Sequence, residues 1–314
     1  MPLTVFFAAP PALWPAYAGP LADALAAAGI DAAIATEAPD PGSVDYIIFA
    51  PGGVIEDFTP YTRTKAVLNL WAGVERLVLN PTLTQPLCRM VDPAMTDSMT
   101  EWVVGHVMRH HLGMDAHILG QDGVWRHDAL GIAVLAAERP VTILGFGELG
   151  QAAGRALAGL GFPVTGWSRS PRDAAGMRCL HGPAGLDAAL AGAQVVVTLL
   201  PRTPETECIL NARTLAMTAR GAFVINPGRG TLIDDAALLA ALDAGQIAHA
   251  TLDVFREEPL PPGHPFWAHP RVTVTPHIAA TTRPVTAARV VAENIRRSEA
   301  GEPLLYRVDR ARGY

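Results

Sequence analysis

A glycine-rich turn between an apolar strand and a helix constrains the fold of this chain more than any other feature. Val141–Leu144 is a short apolar run typical of a buried strand, and residues 148–160 have a helical composition. Between them, Gly145 would permit a tight turn, Gly147 would leave room for a pyrophosphate, and Gly150 would let the helix pack on the strand. The N-terminus of such a helix also attracts phosphate. The pattern predicts a dinucleotide-binding βαβ unit, with a Gly-rich turn that binds no ligand as the alternative.

The end of the next predicted strand bears on which dinucleotide would bind. Ser168, Arg169 and Arg172 stand where an NAD site usually has an acidic residue for the ribose 2′-hydroxyl. A guanidinium can donate two charge-assisted hydrogen bonds to a phosphate. We therefore expect NADPH to be preferred, with NADH possible; an exposed basic turn without a ligand is the alternative. The turn would supply the remaining contacts, from Gly145, Phe146, Gly147, Glu148, Leu149 and Gly150.

Short apolar strands alternate with helices along the whole chain. Strands are predicted at residues 3–8, 30–34, 45–50, 65–70, 141–144, 163–167, 195–200, 222–225, 248–254 and 272–275. Helices are predicted at residues 21–28, 96–111 (capped by Thr96), 148–160, 234–244 and 283–299. This alternation indicates parallel sheets covered on both faces.

The predicted fold class is therefore α/β, with two Rossmann-like doubly wound parallel-sheet domains and a cleft between them. Residues 1–97 plus 284–314 would form a substrate domain, and residues 98–283 a dinucleotide-binding domain inserted into it. The length of 314 residues supports two domains, because one hydrophobic core rarely grows so large.

Composition argues against several other classes of protein. A net charge of -6 without a basic block argues against nucleic acid as a partner. No stretch is apolar for long enough to span a bilayer, and the N-terminus lacks the basic region of a secretory signal. Cys88, Cys179 and Cys208 are odd in number and form no CxxC pair, which favours reduced thiols in a cytoplasmic protein.

Three reactive side chains follow predicted strands at their carboxyl ends, where open α/β sheets bind ligands. They are Arg229, Glu258 and His277. Arg229 could hold a carboxylate, and a protonated imidazole beside a carboxylate could act as a general acid, as 2-keto acid reduction requires. The alternatives are an ordinary surface or core histidine and a structural arginine. Glu257 is expected to face solvent, and Arg256 to pair with it.

A resemblance to a known family rests on three segments around these residues. They are Asn226-x-x-Arg229-Gly230, Leu252-Asp253-Val254-Phe255-x-x-Glu258-Pro259-Leu260-Pro261 and Thr275-Pro276-His277-Ile278-Ala279. They resemble the signature segments of the D-isomer-specific 2-hydroxyacid dehydrogenases, and the likeness extends over most of the chain. Trp167-Ser168-Arg169, Thr282-Arg283-Pro284 and residues 308–314 are similar to a bacterial branch that reduces glyoxylate and hydroxypyruvate. The resemblance implies a homodimer built around the nucleotide domain.

The same resemblance implies a role for each matching residue. Arg229 would orient the substrate, His277 would donate the proton, and Glu258 would be its partner. Asp253 would contact the nicotinamide carboxamide. Further cofactor contacts would come from Leu200, Pro201, Asn226, Pro227 and Gly228. Backbone N–H groups of the loop Trp71-Ala72-Gly73-Val74 would hold the substrate carboxylate. Apart from the resemblance, we expect side chains around Trp71 and Arg283 to size the pocket.

The chain departs from the family pattern at two places. Pro227-Gly228 stands where relatives usually carry a larger residue and Ala, and Glu75 stands where they often have Asp. Neither departure removes a catalytic group.

These observations predict NADPH-dependent reduction of a small 2-keto acid, glyoxylate to glycolate or hydroxypyruvate to D-glycerate. The nearer alternatives are another 2-keto acid and the use of NADH. A distant alternative is a dinucleotide-sensing co-regulator without turnover, because a fold alone does not fix a function.

A histidine cluster in the predicted helix of residues 96–111 raises the question of a metal. His106 and His110 are four residues apart and His111 follows, but no further ligand is evident nearby. We therefore predict no metal site and expect these histidines to pack between domains or face solvent.

Overall fold

The structure is a computed structural model that describes residues 2–125 and 134–310. The chain divides into two compact units, the first formed by Met1–Met95 with Thr281–Tyr314 and the second by Thr96–Ala280. Residues 311–314, part of the terminal segment that resembles the family, lie outside the described residues. In the described parts of the chain, every helix is too short or too polar to traverse a lipid bilayer.

The strands and helices of the described residues are named in chain order. The strands are β1 (Leu3–Ala8), β2 (Ala32–Ala35), β3 (Tyr46–Phe49), β4 (Ala66–Asn69), β5 (Leu87–Cys88), β6 (Val141–Leu144), β7 (Val164–Ser168), β8 (Arg178–His181), β9 (Val195–Thr198), β10 (Ala222–Asn226), β11 (Ile247–Leu252) and β12 (Val272–Val274). The helices are α1 (Trp14–Ala27), α2 (Glu75–Val78), α3 (Pro93–His111), α4 (Met114–Leu119), α5 (Glu148–Gly159), α6 (Gly182–Leu190), α7 (Ala212–Ala216), α8 (Asp235–Asp243), α9 (Pro265–Ala268) and α10 (Pro284–Glu299).

The first unit is built on a five-stranded sheet in the order β2-β1-β3-β4-β5, with every pair parallel. The Tyr46 hydroxyl, at the start of β3, donates to Oε1 of Glu299 at the end of α10 over 2.5 Å. The opposite end of α10 therefore lies at the carboxyl edge of the sheet. There the Thr282 hydroxyl donates to the carbonyl of Leu70, just past β4, over 3.1 Å.

The second unit is built on a seven-stranded sheet in the order β12-β11-β10-β9-β6-β7-β8, again with every pair parallel. The direction of the strand order reverses between β6 and β9. Ligands bind open α/β sheets at such a switch point, outside the carboxyl ends of the strands. The predicted fold class of two parallel-sheet α/β domains is confirmed.

Two edge strands and the starts of two helices differ from the sequence prediction. α1 begins at Trp14 and not at residue 21. β5 has only two residues, and β8 is exposed at Arg178 and His181, so neither produces a continuous apolar run. α3 begins at Pro93 and not after Thr96. The Asp92 side chain accepts from the backbone N–H of Ala94, in the first turn of α3, over 3.1 Å. Asp92 therefore caps the helix in place of Thr96.

Two histidines of α3, His110 and His111, pack against other elements of the second unit. His110 is 6% exposed, its Nε2 lies 2.9 Å from Oγ1 of Thr251, and its ring stacks on Phe223. The ring of His111 meets Phe162 edge to face. Packing between domains or solvent exposure was therefore the wrong expectation for His110. No group of three metal-ligating side chains occurs in residues 2–125 and 134–310.

Acid is expected to destabilise this packing. Burial lowers the pKa of His110 to about 3 and that of His249 to about 4. Because an unfolded histidine titrates near ~6.5, the unfolded state binds more protons below that pH. The free energy of unfolding should fall by up to about 1.4 kcal/mol per pH unit for each histidine as the pH drops from ~6.5 towards the folded pKa.

Denaturant unfolding at a series of pH values measures this loss. The variant His110→Gln should show a shallower dependence on pH than the wild type, because one titrating group is gone. His117→Gln, which changes an exposed histidine on α4, is the matched control and should keep the wild-type slope. Identical slopes for all three proteins would contradict the prediction.

Candidate active site

At each glycine of the turn after β6, the surroundings explain why a residue without a side chain is present. Gly145 has a φ of +102°, and a Cβ there would lie 2.5 Å from the carbonyl carbon of Leu199. A Cβ on Gly150 would lie 2.2 Å from the carbonyl oxygen of Gly145, so α5 can approach the turn only without a side chain. A Cβ on Gly147 would meet nothing within 4 Å. Open space beside the first N–H groups of α5 suits the approach of a phosphate.

Phe146 contributes to the turn through its backbone. Its side chain is 1% exposed and belongs to the core of the second unit. A Cβ on Gly166 would lie 2.3 Å from the Phe146 ring, and one on Gly154 would lie 3.1 Å from it. Gly166 and Gly154 therefore make room beneath the turn, a role that the sequence analysis did not assign.

The basic residues predicted at the 2′-phosphate lie at the end of β7, beside β6. The Ser168 hydroxyl donates to the carbonyl of Ser170 over 2.8 Å, while Arg169 and Arg172 are exposed. Hydrogen bonds from the Thr203 side chain and the backbone, with a smaller effect of Arg169, hold the pKa of Glu205 below its usual value. Arg169 therefore lies close to the loop that follows β9.

That loop begins with the cofactor candidates Leu200 and Pro201. Leu200 is buried at 8% exposure, and the carbonyl of Pro201 accepts from the Thr206 hydroxyl over 2.7 Å. The backbone N–H of Thr203 in turn donates to the Thr206 oxygen over 2.9 Å. Thr206 thus fixes the loop beside the glycine-rich turn.

The buried side chain of Asn226 braces the segment that carries Arg229. Its Oδ1 accepts from the Thr198 hydroxyl over 2.6 Å and from the Gly228 N–H over 3.0 Å. Its Nδ2 donates to the Arg229 carbonyl over 3.0 Å. A Cβ on Gly228 would lie 2.8 Å from the Thr198 carbonyl oxygen, so glycine after Pro227 allows this close packing.

Arg229 stands between β10 and the short 3₁₀ turn Gly230–Leu232. Its Nη1 donates to the Gly228 carbonyl over 2.7 Å, and the residue is only partly buried. A Cβ on Gly230 would lie 1.9 Å from the carbonyl carbon of Phe255, so the segment passes directly against the one that follows β11. Arg229 is thereby held beside the carboxyl ends of both strands.

His277 and Glu258 form a hydrogen-bonded pair. Nδ1 of His277 lies 2.7 Å from Oε2 of Glu258, while Oε1 accepts from the Phe255 N–H over 2.9 Å. An ionised carboxylate can only accept, so Nδ1 carries the proton and Nε2 can exchange one with a bound molecule. The His277 side chain is 53% exposed, and such a pair can serve as a general acid or base.

Asp253 supports the unusual backbone at His277. The φ of His277 is +55°, a left-handed conformation that costs a residue other than glycine roughly 1–2 kcal/mol. The Asp253 carbonyl accepts from the His277 N–H over 2.8 Å. The Asp253 carboxylate, fully buried, accepts from Thr275 Oγ1 over 2.6 Å and from the N–H groups of Ile278 and Ala279, each over 2.9 Å. The contact of Asp253 with a nicotinamide stays a prediction.

The residues just before Glu258 correct one expectation. Glu257 is exposed, but Arg256 does not pair with it. Arg256 donates from Nη1 to Oε1 of Glu207 over 2.8 Å and from Nη2 to the Ile233 carbonyl over 2.7 Å. The expected pair of sequence neighbours was wrong because the partners come from separate loops of the same unit.

The sheet of the second unit brings these elements to one edge. Arg229, Glu258 and His277 follow the adjacent strands β10, β11 and β12, and the glycine-rich turn follows β6. Since all strands are parallel, their carboxyl ends share that edge. The contact between Thr198 and Asn226 joins the ends of β9 and β10. A dinucleotide turn and an acid–base pair therefore belong to one edge of one sheet.

The predicted carboxylate loop, residues 71–74, lies at the carboxyl edge of the first unit, after β4. The carbonyl of Trp71 accepts from the Met90 N–H over 3.1 Å and from Nδ2 of Asn69 over 2.7 Å, and that of Gly73 accepts from the same Nδ2 over 2.9 Å. In the described part of the chain, the backbone N–H groups of residues 71–74 find no acceptor. A row of unpaired N–H groups suits an anion.

Arg283 belongs to the same edge of the first unit. It precedes α10 directly and is exposed, and its neighbour Thr282 donates to Leu70, which precedes the 71–74 loop. Trp71, the other residue expected to size the pocket, is 45% exposed. Both side chains are therefore available at the edge where the loop presents its N–H groups.

Comparison with protein families finds one matching model over residues 102–279, more than half of the chain. It describes the NAD-binding domain of the D-isomer-specific 2-hydroxyacid dehydrogenases.

Individual proteins are similar over most of the chain. Glyoxylate/hydroxypyruvate reductase A of Yersinia enterocolitica is 43% identical over 236 residues, 73% of this chain and 72% of that relative. A D-isomer-specific 2-hydroxyacid dehydrogenase from Xanthobacter autotrophicus Py2, solved with NADPH and MES, has a TM-score of 0.88 and 42% identity, covering 100% of this chain and 99% of its own. An NADPH-dependent glyoxylate/hydroxypyruvate reductase from Sinorhizobium meliloti, solved with NADP and sulfate, has a TM-score of 0.87 and 34% identity, covering 99% and 100%.

Proposed function

The chain belongs to the D-isomer-specific 2-hydroxyacid dehydrogenase family, and we propose that it is an NADPH-dependent reductase of small 2-keto acids. The observation that carries this proposal is the 2.7 Å contact between His277 and Glu258, at the sheet edge that also holds the glycine-rich turn. The relatives named glyoxylate/hydroxypyruvate reductase support glyoxylate and hydroxypyruvate as the substrates. Their products would be glycolate and D-glycerate.

Different protein groups bind the substrate, polarise its keto group and donate the proton. NADPH, when bound at the turn and at Ser168, Arg169 and Arg172, supplies the hydride. Arg229 holds the substrate carboxylate and polarises the keto group, because a guanidinium offers two aligned donors. Nε2 of His277 gives the proton to the keto oxygen, while Glu258 stabilises the charged imidazole. The N–H groups of the 71–74 loop hold the carboxylate.

A spectrophotometric assay tests the proposal directly. Purified protein is mixed with NADPH or, in a parallel series, with NADH. Glyoxylate, hydroxypyruvate, pyruvate and a larger 2-keto acid are added one at a time, and oxidation of the cofactor is followed. We expect turnover to be fastest with glyoxylate or hydroxypyruvate. Turnover only with a larger acid, or only with NADH, would reject this substrate or cofactor assignment. Binding of NADPH without oxidation by any acid would favour a dinucleotide-sensing co-regulator.

The preference for NADPH can be reversed by a change of charge. In the double variant Ser168→Asp and Arg169→Ala, a carboxylate faces the 2′-phosphate and a guanidinium is lost. We expect kcat/KM for NADPH to fall by about a hundredfold relative to that for NADH, since repulsion replaces a charge-assisted hydrogen bond. Steady-state kinetics with each cofactor measure this ratio.

A matched control changes charge elsewhere on the same unit. Arg213→Ala removes an exposed guanidinium that pairs with Asp187 and should leave the cofactor ratio unchanged. An unchanged ratio in the double variant would mean that the 2′-phosphate binds away from the end of β7.

We also propose a homodimer formed through the second unit. A run of large apolar side chains is exposed near α4, which is unusual for a surface without a partner. Its members include Leu112, Ile118, Leu119, Val124 and Trp125, the last 92% exposed.

We propose the cytoplasm as the location of the protein. Cys88, Cys179 and Cys208 are free thiols, which suit a reducing compartment.

A further inference from the structure

One buried side chain holds the carboxylate loop in shape. Asn69, the last residue of β4, is 1% exposed. Its Nδ2 donates to the carbonyl of Trp71 over 2.7 Å and to that of Gly73 over 2.9 Å. A single amide nitrogen thus spans both ends of the turn that residues 71–73 make.

The orientation of this amide follows from its surroundings. Were the group rotated by half a turn, Oδ1 would face two carbonyl oxygens at hydrogen-bond distance, and acceptors repel one another. In the present orientation both donors of Nδ2 are used, whereas Oδ1 is buried without a partner among the described residues. A buried, unpaired oxygen lowers the free energy of unfolding, and the two hydrogen bonds that Nδ2 donates offset this cost.

The two bonds, with the Met90 N–H that also donates to the Trp71 carbonyl over 3.1 Å, set which way the peptide groups of the loop face. Because the carbonyls of Trp71 and Gly73 are drawn towards Asn69, the N–H groups of Ala72 and Val74, which share those peptide planes, point the opposite way. These N–H groups have no acceptor in the described part of the chain. Asn69 therefore directs the N–H groups of Ala72 and Val74 away from itself, so it acts on their orientation and not by contact with a bound anion.

We propose that Asn69 is a positioning residue that sets the affinity for the substrate carboxylate by orienting the 71–74 loop. This inference rests on the proposed function, which assigns the carboxylate to that loop. It adds a determinant of KM that lies behind the site and that neither the motifs nor the family resemblance indicated.

The test compares two substitutions that differ in the number of remaining donors. Asn69→Leu keeps the size of the side chain, removes both hydrogen bonds and also removes the unpaired oxygen, so the fold should be retained. We expect its KM for glyoxylate to rise about tenfold, with kcat changed by less than about threefold, because the lost contacts act on binding and not on the proton or hydride transfer. Asn69→Ser keeps one donor and should have an intermediate KM.

Matched measurements separate positioning from loss of structure. Gln85 makes the same kind of contact in the same unit, since its Nε2 donates to the carbonyls of Phe58 and Tyr61 over 3.2 and 2.9 Å. Gln85→Leu should leave the KM for glyoxylate unchanged. The Kd for NADPH, read by its fluorescence, should be unchanged in all three variants.

The outcomes distinguish this inference from the proposed function. A wild-type KM in Asn69→Leu and Asn69→Ser, with glyoxylate still reduced, would overturn the role of Asn69 alone. An equal rise of KM in Gln85→Leu would also overturn it, because the effect would then be a general loosening of the unit. A wild-type protein that reduces no 2-keto acid would overturn the proposed function and this inference with it.

Discussion

Replacing His277 by alanine is expected to lower kcat for glyoxylate reduction by about a thousandfold, while the Kd for NADPH stays within about twofold of the wild type. The loss follows from removal of the general acid, whose contribution is typically 10²–10⁴-fold. The glycine-rich turn and the end of β7 are untouched, so cofactor binding should persist. Steady-state kinetics with saturating NADPH and a fluorescence titration measure the two quantities.

Two further variants sharpen the result for the acid. His117→Ala removes an exposed histidine of α4 and should retain wild-type kcat. Glu258→Gln keeps a hydrogen-bond acceptor for Nδ1 but removes the negative charge, and its kcat should lie between those of the wild type and His277→Ala. Near-normal turnover by His277→Ala would exclude this imidazole as the proton donor.

Replacing Arg229 by alanine should lower kcat/KM for glyoxylate by about a thousandfold. The guanidinium is proposed both to hold the carboxylate and to stabilise charge that develops on the keto oxygen, and the loss of one such donor typically costs 10²–10³ in rate. Arg229→Lys restores the charge without the planar fork and should recover only part of the loss. The comparison is made by initial-rate kinetics over a range of glyoxylate concentrations.

The control for this prediction is an arginine outside the site. Arg213→Ala should show the wild-type kcat/KM, since its partner is Asp187 on the surface. Full activity of Arg229→Lys would mean that charge alone suffices, and full activity of Arg229→Ala would remove Arg229 from substrate recognition.

Local sequence patterns were sufficient to predict two parallel sheets, apart from the edge strands β5 and β8, and to place Arg229, Glu258 and His277 after their strands. The strand Val141–Leu144 and the three glycines after it are adjacent in the chain, so their roles can be read from spacing alone. Arg229, Glu258 and His277 could be placed at one edge because parallel strands share their carboxyl ends. The structure adds the 2.7 Å contact between His277 and Glu258, which spacing could not give.

What the sequence could not predict depends on contacts between distant residues. Asp253 supports the left-handed backbone of His277 from another strand, and no local pattern signals such a conformation outside glycine. Asn69 gives no signal beyond a polar residue at the end of an apolar strand. The burial of His110 depends on Thr251 and Phe223, far along the chain, so helical periodicity alone could not reveal it.

The first unit is formed by two separate parts of the chain, and this affects how the protein folds during translation. The strands of the five-stranded sheet are all synthesised once residue 88 has been made, yet α10, which buries Val291, Ala292 and Ile295, is translated about 200 residues later. The second unit, continuous from Thr96 to Ala280, is fully synthesised before that helix emerges. We therefore expect the nucleotide-binding unit to fold first during translation. The first unit can complete its packing only after α10 has been synthesised.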